Sequence, residues 1–333
     1  LKNNKVVTIG EILVRLSTPG YSRFTQATQM NLVYVGSEAN VAISLSNFGL
    51  PTAHISRLPE NDLGMAVLQH LKSFGVATDW VQIGSGRLGL YFLENGTMNR
   101  APRLIYDRFH SAFSEIEPGS VDWNAVFQGA SWFHWTGITP AISESAAQLC
   151  MEGIEMASKL GLTISGDINY RRNLWKYGKS VEEVMPPMIA KTHMIVGGAT
   201  DFKNCLNIVG KDYEDACVNV QKAYPTIRKI GYSHRDSISA SHNKVQAVLW
   251  TGEKFIKSRV YDLTHIVDRV GAGDAFMAGL IYGWSCKLSD EETIEFASAA
   301  CALKHSIEGD VNLATIEEVN ALAAGENTGK LLR

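Results

Sequence analysis

The chain has 333 residues, with 31 Lys and Arg against 34 Asp and Glu, a formal charge of −3. Hydrophobic residues make up 45% and charged residues 20%, which suits a globular protein with a sizeable core and excludes a disordered one. Near-neutral charge without a basic block removes the electrostatic case for a nucleic-acid partner or an anionic membrane surface.

In chain order, Val6–Ile9 reads as a buried strand. Leu13–Leu16 and Leu32–Val35 follow as strands with no helix between them, around the turn signal Thr18-Pro19-Gly20. Ala39, Ala42, Ile43 and Leu45 fall at helical spacing, which predicts a helix over Glu38–Phe48 with Gly49 as its stop. A short strand at His54–Ser56 and a helix at Asp62–Phe74 come next, the latter ended by Gly75. Leu88–Leu93 and Arg103–Arg108 form a second strand pair around Glu94-Asn95-Gly96. After them the pattern alternates: strand Ser131–His134, helix Ser143–Leu160, strands Leu162–Asp167 and Met194–Val196, helix Asp212–Tyr224. Alternation of this kind predicts an α/β fold with a mainly parallel sheet and helices on both faces. The two strand pairs, at about 12–35 and 88–109, are expected to form a small antiparallel sheet that projects as a lid and excludes water. No repeat or linker divides the chain, so residues 1–333 are read as one domain.

Several motifs fail on context. The longest stretch free of Asp, Glu, Lys and Arg, Trp123 to Ser143, carries Asn124, Gln128, His134 and Pro140, whereas a membrane span needs about 20 mostly apolar residues. Val6–Ile9 is too short for a secretory leader. The cysteines at 150, 205, 217, 286 and 301 form no C-x-x-C pair, so reduced thiols in cytoplasm are expected. Gly84-Ser85-Gly86-Arg87-Leu88-Gly89 matches G-x-G-x-x-G, but a strand pattern follows it where a dinucleotide site needs a helix. Gly178-Lys179-Ser180 lacks the earlier glycine of a P-loop, since Asn173 stands there. Trp132, Phe133, His134 and Trp135 read as core.

Gly271-Ala272-Gly273-Asp274 is different, because the helical run Met277–Tyr282 follows it. Small residues let backbone N–H groups turn inward, and the positive end of the helix points to the same place, a cradle for a phosphate. A carboxylate beside such a cradle repels phosphate unless it has a task, and accepting the proton of an attacking hydroxyl is one. A plain glycine turn with an Asp N-cap is the competing reading.

Asp268 through Gly279 resembles the C-terminal signature of the ribokinase (PfkB) family of sugar kinases, and Gly36-Ser37-Glu38-Ala39-Asn40-Val41-Ala42 resembles its N-terminal signature. The resemblance spans essentially the whole chain and implies a ribokinase-like three-layer sandwich with a β-sheet lid. It further implies ATP and Mg²⁺, and leaves open a monovalent cation such as K⁺. By it the Gly271, Ala272 and Gly273 amides form the anion hole and Asp274 is the base. Gly89-Leu90-Tyr91, Tyr106-Asp107-Arg108 and the segment Asp167 to Trp175 are similar to family members that act on 2-keto-3-deoxygluconate. That likeness places Gly36, Ser37, Glu38, Ala39, Asn40, Tyr91, Tyr106, Arg108 and Arg171 at the sugar acid. Arginines suit its carboxylate through paired, charge-assisted hydrogen bonds. Asn169, Arg171, Ser233, His234 and Arg235 join the residues 271–274 as nucleotide-binding candidates. Gly198 stands in place of the Asn of the family's N-x-x-E motif, leaving Asp201 as the metal candidate; Val35, Pro59 and Arg269 also depart from the pattern. The implied reaction is ATP-dependent phosphorylation of the 6-hydroxyl of 2-keto-3-deoxygluconate. A neutral-sugar kinase of fructokinase type and a sugar-binding pseudokinase are the alternatives. A homo-oligomer formed through the lid is expected.

Overall fold

The computed structural model describes residues 4–326. Its strands are β1 (Lys5–Ile9), β2 (Leu13–Ser17), β3 (Asn31–Val35), β4 (Thr52–Pro59), β5 (Val81–Gly84), β6 (Gly89–Glu94) and β7 (Arg103–Asp107). They continue with β8 (Ala130–Thr136), β9 (Thr163–Asp167), β10 (Met194–Val196), β11 (Lys229–Ser237), β12 (Asn243–Trp250), β13 (Phe255–Lys257) and β14 (Tyr261–Leu263).

The main sheet runs β13-β12-β11-β10-β9-β8-β1-β4-β5, with β14 also on β12. From β5 to β11 all pairs are parallel, and β12 pairs antiparallel with β11, β13 and β14. Successive side chains of a strand point to opposite faces, and the core divides accordingly. Val7, Phe133 and Ile195 pack with the Glu144–Lys159, Val181–Ile189 and Tyr213–Ala223 helices. Their neighbours Val6, Trp132 and Met194 pack with the Ser37–Asn47, Ala272–Ser285 and Asp290–Lys304 helices. The result is the three-layer sandwich the sequence implied. Trp132, Phe133, His134 and Trp135 are all buried, as expected of core.

Helix boundaries follow the caps. Asn61, Ser143 and Asp212 each accept a hydrogen bond from a first-turn N–H, so the expected helices start at Asp62, Glu144 and Tyr213. The structure adds helices the sequence pattern did not reveal. Val181–Ile189 contains Pro186 and Pro187, which read as breakers, and Asp290–Lys304 is buried on so many sides that it shows no polar stripe.

The second sheet has the order β3-β2-β6-β7 and is built from the two expected strand pairs. The expectation of a wholly antiparallel lid is corrected: β2–β3 and β6–β7 are antiparallel, but the central pair β2–β6 is parallel. The cause is topological. β2 follows β1 and β6 follows β5, and β1 and β5 leave the parallel main sheet by the same edge.

From β1 the chain builds outward to β4 and β5, whereas β8, β9, β10 and β11 extend the sheet the other way. In open α/β sheets ligands bind at the carboxyl ends of strands where the order reverses. Those ends, under the lid, hold a large cleft.

Candidate active site

The cleft encloses about 670 Å³, within the range of small-molecule sites. Glu11 reaches it from the end of β1, Gly36 and Ser37 from the next helix, Asp167 and Asn169 from β9, Gly197 and Gly198 from β10. Tyr91, Leu104, Tyr106 and Arg108 form its lid wall.

Gly271 is the N-cap of the Ala272–Ser285 helix at φ 82°, a left-handed conformation that favours glycine. A Cβ there would come within 1.8 Å of the Asp310 carbonyl oxygen, so no other residue fits. At Gly273 a Cβ would meet nothing within 4 Å, because that side of the turn opens on the cleft. The N–H groups of Gly271 and Gly273 have no acceptor among the described residues, as expected of a helix start.

Asp274 lies in the first turn but does not cap its own helix. Ser37 Oγ donates to its Oδ1 at 2.6 Å and Asn40 Nδ2 to its Oδ2 at 2.7 Å. Burial pushes its pKa up to about 6, against the opposing effect of those two hydrogen bonds. The plain N-cap reading fails here, and a carboxylate poised just below neutral pH suits a general base. Glu38 sits beneath, with its pKa raised to about 7 by burial; its Oε1 accepts from Thr136 and Thr139 at 2.7 Å.

On the lid side Arg108 is buried and already partnered. Its Nε donates to Glu11 Oε2 at 2.8 Å and its Nη2 pairs with the same oxygen. Glu11 Oε1, buried at the cleft, has no hydrogen-bond partner among the described residues. Tyr91 donates its hydroxyl to Asp310 Oδ2 at 2.6 Å and stacks at a tilt on Tyr106, its cross-strand neighbour. Arg15 of β2 is buried between Asp310 at 2.5 Å and Asp268 at 2.6 Å.

The opposite wall is acidic. Burial, then Asp274 and Asp201, push the Asp167 pKa up to about 8, with Arg171 opposing. Asn169 adopts φ 39°, which asparagine tolerates better than most residues, and its amide donates to Asp167 at 3.3 Å. Asp201 accepts from the Gly198 N–H at 2.8 Å. A Cβ at Gly198 would press within 3.0 Å of the Tyr232 ring, so Tyr232 fills the space a side chain at 198 would take. Among the described residues no three His, Cys, Asp or Glu side chains form a ready metal cage. Mg²⁺ needs only one or two carboxylates besides phosphate and water, and Asp167 and Asp201 fit that requirement.

The cleft therefore gathers Gly36, Ser37, Glu38, Asn40, Tyr91, Tyr106, Arg108, Asn169, Arg171, Asp201, Ser233, Gly271, Gly273 and Asp274. Ala39 packs instead in the core under the lid, and Ala272 in the core beside β12. His234 and Arg235 lie further along β11, outside the cleft lining. Sequence reasoning missed Glu11, Asp167 and Asp310. The first two directly follow or end buried strands, a position that marks them once the strand order is known; Asp310 lies in a loop without a motif.

The model of the pfkB family carbohydrate kinases matches residues 3–315. The crystal structure of a 2-dehydro-3-deoxygluconokinase from Thermotoga maritima superposes with a TM-score of 0.92 at 38% identity, covering 97% of this chain and 100% of that one. A 2-dehydro-3-deoxygalactonokinase of Haloferax volcanii is 28% identical over 98% of each chain. A 2-dehydro-3-deoxygluconokinase of Bacillus subtilis is 26% identical over 97% of this chain and 96% of its own.

Proposed function

Since the chain belongs to the pfkB family of carbohydrate kinases, we propose that it transfers the γ-phosphoryl group of ATP to the 6-hydroxyl of 2-keto-3-deoxygluconate. Asp274 carries this reading: a carboxylate in the first turn behind Gly271–Gly273, oriented by Ser37 and Asn40, with its pKa raised to about 6. The sugar oxygen attacks the γ-phosphorus, the bond to the departing ADP breaks, and the proton goes to Asp274. The Gly271 and Gly273 amides, without acceptors among the described residues, and the positive helix end stabilise charge on the transferring group. Mg²⁺, when bound, neutralises phosphate charge, and Asp167 and Asp201 are the side chains suited to hold it.

Arg108 on the lid wall and Arg171 opposite supply cationic groups for a sugar carboxylate. The 2-dehydro-3-deoxygluconokinase names of the Thermotoga maritima and Bacillus subtilis proteins support the same substrate. One observation favours a second reading, a neutral-sugar kinase: Glu11 already balances the charge of Arg108. A panel of 2-keto-3-deoxygluconate, its galactonate epimer and fructose, followed by ADP release, separates the two. The acid should exceed fructose in kcat/KM by about 100-fold, the scale of one partly buried charge pair. Equal rates would transfer the assignment to the neutral sugar, and NMR of the product locates the phosphate.

We also propose that the lid pairs with that of a second copy. Leu32, Leu16, Phe92 and Ile105 are register partners across the sheet and form one apolar row. Leu32 and Ile105 are 49% and 55% exposed. Light scattering should give twice the chain mass, and a monomer mass would remove the pairing.

A further inference from the structure

A lysine with no solvent exposure stands behind the anion-hole turn, and the phosphoryl-transfer chemistry does not use it. Lys304 closes the Asp290–Lys304 helix, and its Nζ donates to the Ile307 carbonyl at 2.9 Å and the Asp268 carbonyl at 3.4 Å. Burying an ammonium is unfavourable unless carboxylates and acceptors surround it. Here Asp268 and Asp310 are two buried carboxylates; Arg15 bridges both but carries a single positive charge, and Lys304 is the second buried cation. Burial lowers the Lys304 pKa, while both carboxylates favour its charged form.

The same small region fixes the turn. The Asp268 carboxylate accepts from the Val270 and Gly309 N–H groups at 3.0 and 3.1 Å. His305 accepts from the Val267 N–H at 2.8 Å, and Gly271 has no room above the Asp310 carbonyl. With carbonyl oxygens of both segments drawn to one ammonium, the loop after the helix and the start of the turn are joined from behind. The N–H groups of Gly271 and Gly273 are left without acceptors among the described residues.

We propose that the Lys304 ammonium is a built-in monovalent cation that positions the Asp268–Gly273 turn for phosphoryl transfer, in place of a dissociable ion. Lys304 is a positioning residue in this scheme, acting through the Asp268 and Ile307 carbonyls. The proposal rests on the phosphoryl-transfer reading of Asp274; an inactive parent enzyme would sink that reading, whereas the tests below concern Lys304 alone.

Lys304→Met keeps the volume and removes the charge; Lys304→Ala opens a space lined by the two carbonyls. Both should lower kcat by about tenfold or more with KM for the sugar changed less than about twofold, because the turn acts on the transition state. Ammonium or methylammonium chloride should restore kcat of Lys304→Ala in a saturable way and leave Lys304→Met unrestored. Parental kcat in a folded Lys304→Met protein, or no amine-dependent recovery in folded Lys304→Ala, would overturn the proposal. Should neither variant fold, the parent enzyme decides: kcat should agree within about twofold in potassium, sodium and tetramethylammonium chloride at equal ionic strength. Several-fold activation by potassium would show that a dissociable ion is still needed.

Discussion

A carboxylate in the first turn of a helix usually serves that helix, by capping an N–H or offsetting the dipole. Asp274 serves another element instead, because both its oxygens are taken by Ser37 and Asn40 of the Ser37–Asn47 helix. Asp274→Asn preserves the size and removes the base, so turnover should fall at least about 100-fold with sugar affinity little changed. Single-turnover phosphorylation and sugar binding by calorimetry check this, and near-parental turnover would take Asp274 out of the mechanism. Arg108 makes a sharper test of substrate class than its sequence suggested. Arg108→Ala would leave Glu11 buried without its partner and facing any substrate carboxylate. KM for 2-keto-3-deoxygluconate should rise about tenfold or more, within the 2–5 kcal/mol scale of truncating one member of a buried charge pair. KM for a neutral sugar should change far less. Equal losses on both would assign Arg108 to holding the lid, since its partner Glu11 lies two residues beyond β1 and Arg108 itself directly follows β7.

The start of the Ala272–Ser285 helix separates two glycines that look alike in sequence. Gly271→Ala places a methyl on the Asp310 carbonyl at a φ of 82°, so it should lower Tm and activity together. Gly273→Ala finds open space in the protein and should keep the parental Tm while losing phosphoryl transfer to a blocked cradle. Calorimetric melting beside kcat reads both; a Gly273→Ala enzyme of full activity would move the phosphate elsewhere. Most elements of this kind were legible because their periodicity and caps agree, as at Asn61, Ser143 and Asp212. The glycine turn at Gly271–Gly273 was legible as a helix start because its motif met a helix, and Gly84–Gly89 was dismissed because it met a strand, β6. Pairing direction was not legible: residues 13–17 and 89–93 run parallel only because of where β1 and β5 release the chain. Ion pairs were equally hidden, since Arg15 meets Asp268 and Asp310 across more than two hundred residues of chain.

At the scale of the whole molecule, the buried ionisable groups pull stability and activity in opposite directions. His54, His134 and His305 have pKa values lowered by burial to about 4, 3 and 4, so the unfolded chain binds more protons in mildly acidic solution. Their effect raises stability with pH until about 6.5, the unfolded histidine value, and is constant above it. Glu38 and Asp167 act with the other sign. Their pKa values are raised to about 7 and about 8, so the folded state holds the extra protons, and this stability is lost as pH rises through those values. Between pH 6.5 and 8 the histidines no longer contribute, and Asp167 dominates the remaining slope. One retained proton over that span is worth no more than about 2 kcal/mol, a fall of a few degrees in Tm for a chain of this size. Asp274, raised to about 6, must be ionised to accept a proton, so kcat should rise through the same neutral region. The ligand-free protein is therefore expected to melt highest near pH 6 and to work best above pH 7. Scanning calorimetry from pH 5 to 8.5 on the parent and on Asp167→Asn is the check. The variant should lose most of the decline above pH 6.5, since its amide has no proton to release. A parent Tm that is flat or rising across that window would mean that Asp167 is already ionised in the fold, and the acidic wall of the cleft would then carry a full negative charge before any cation arrives.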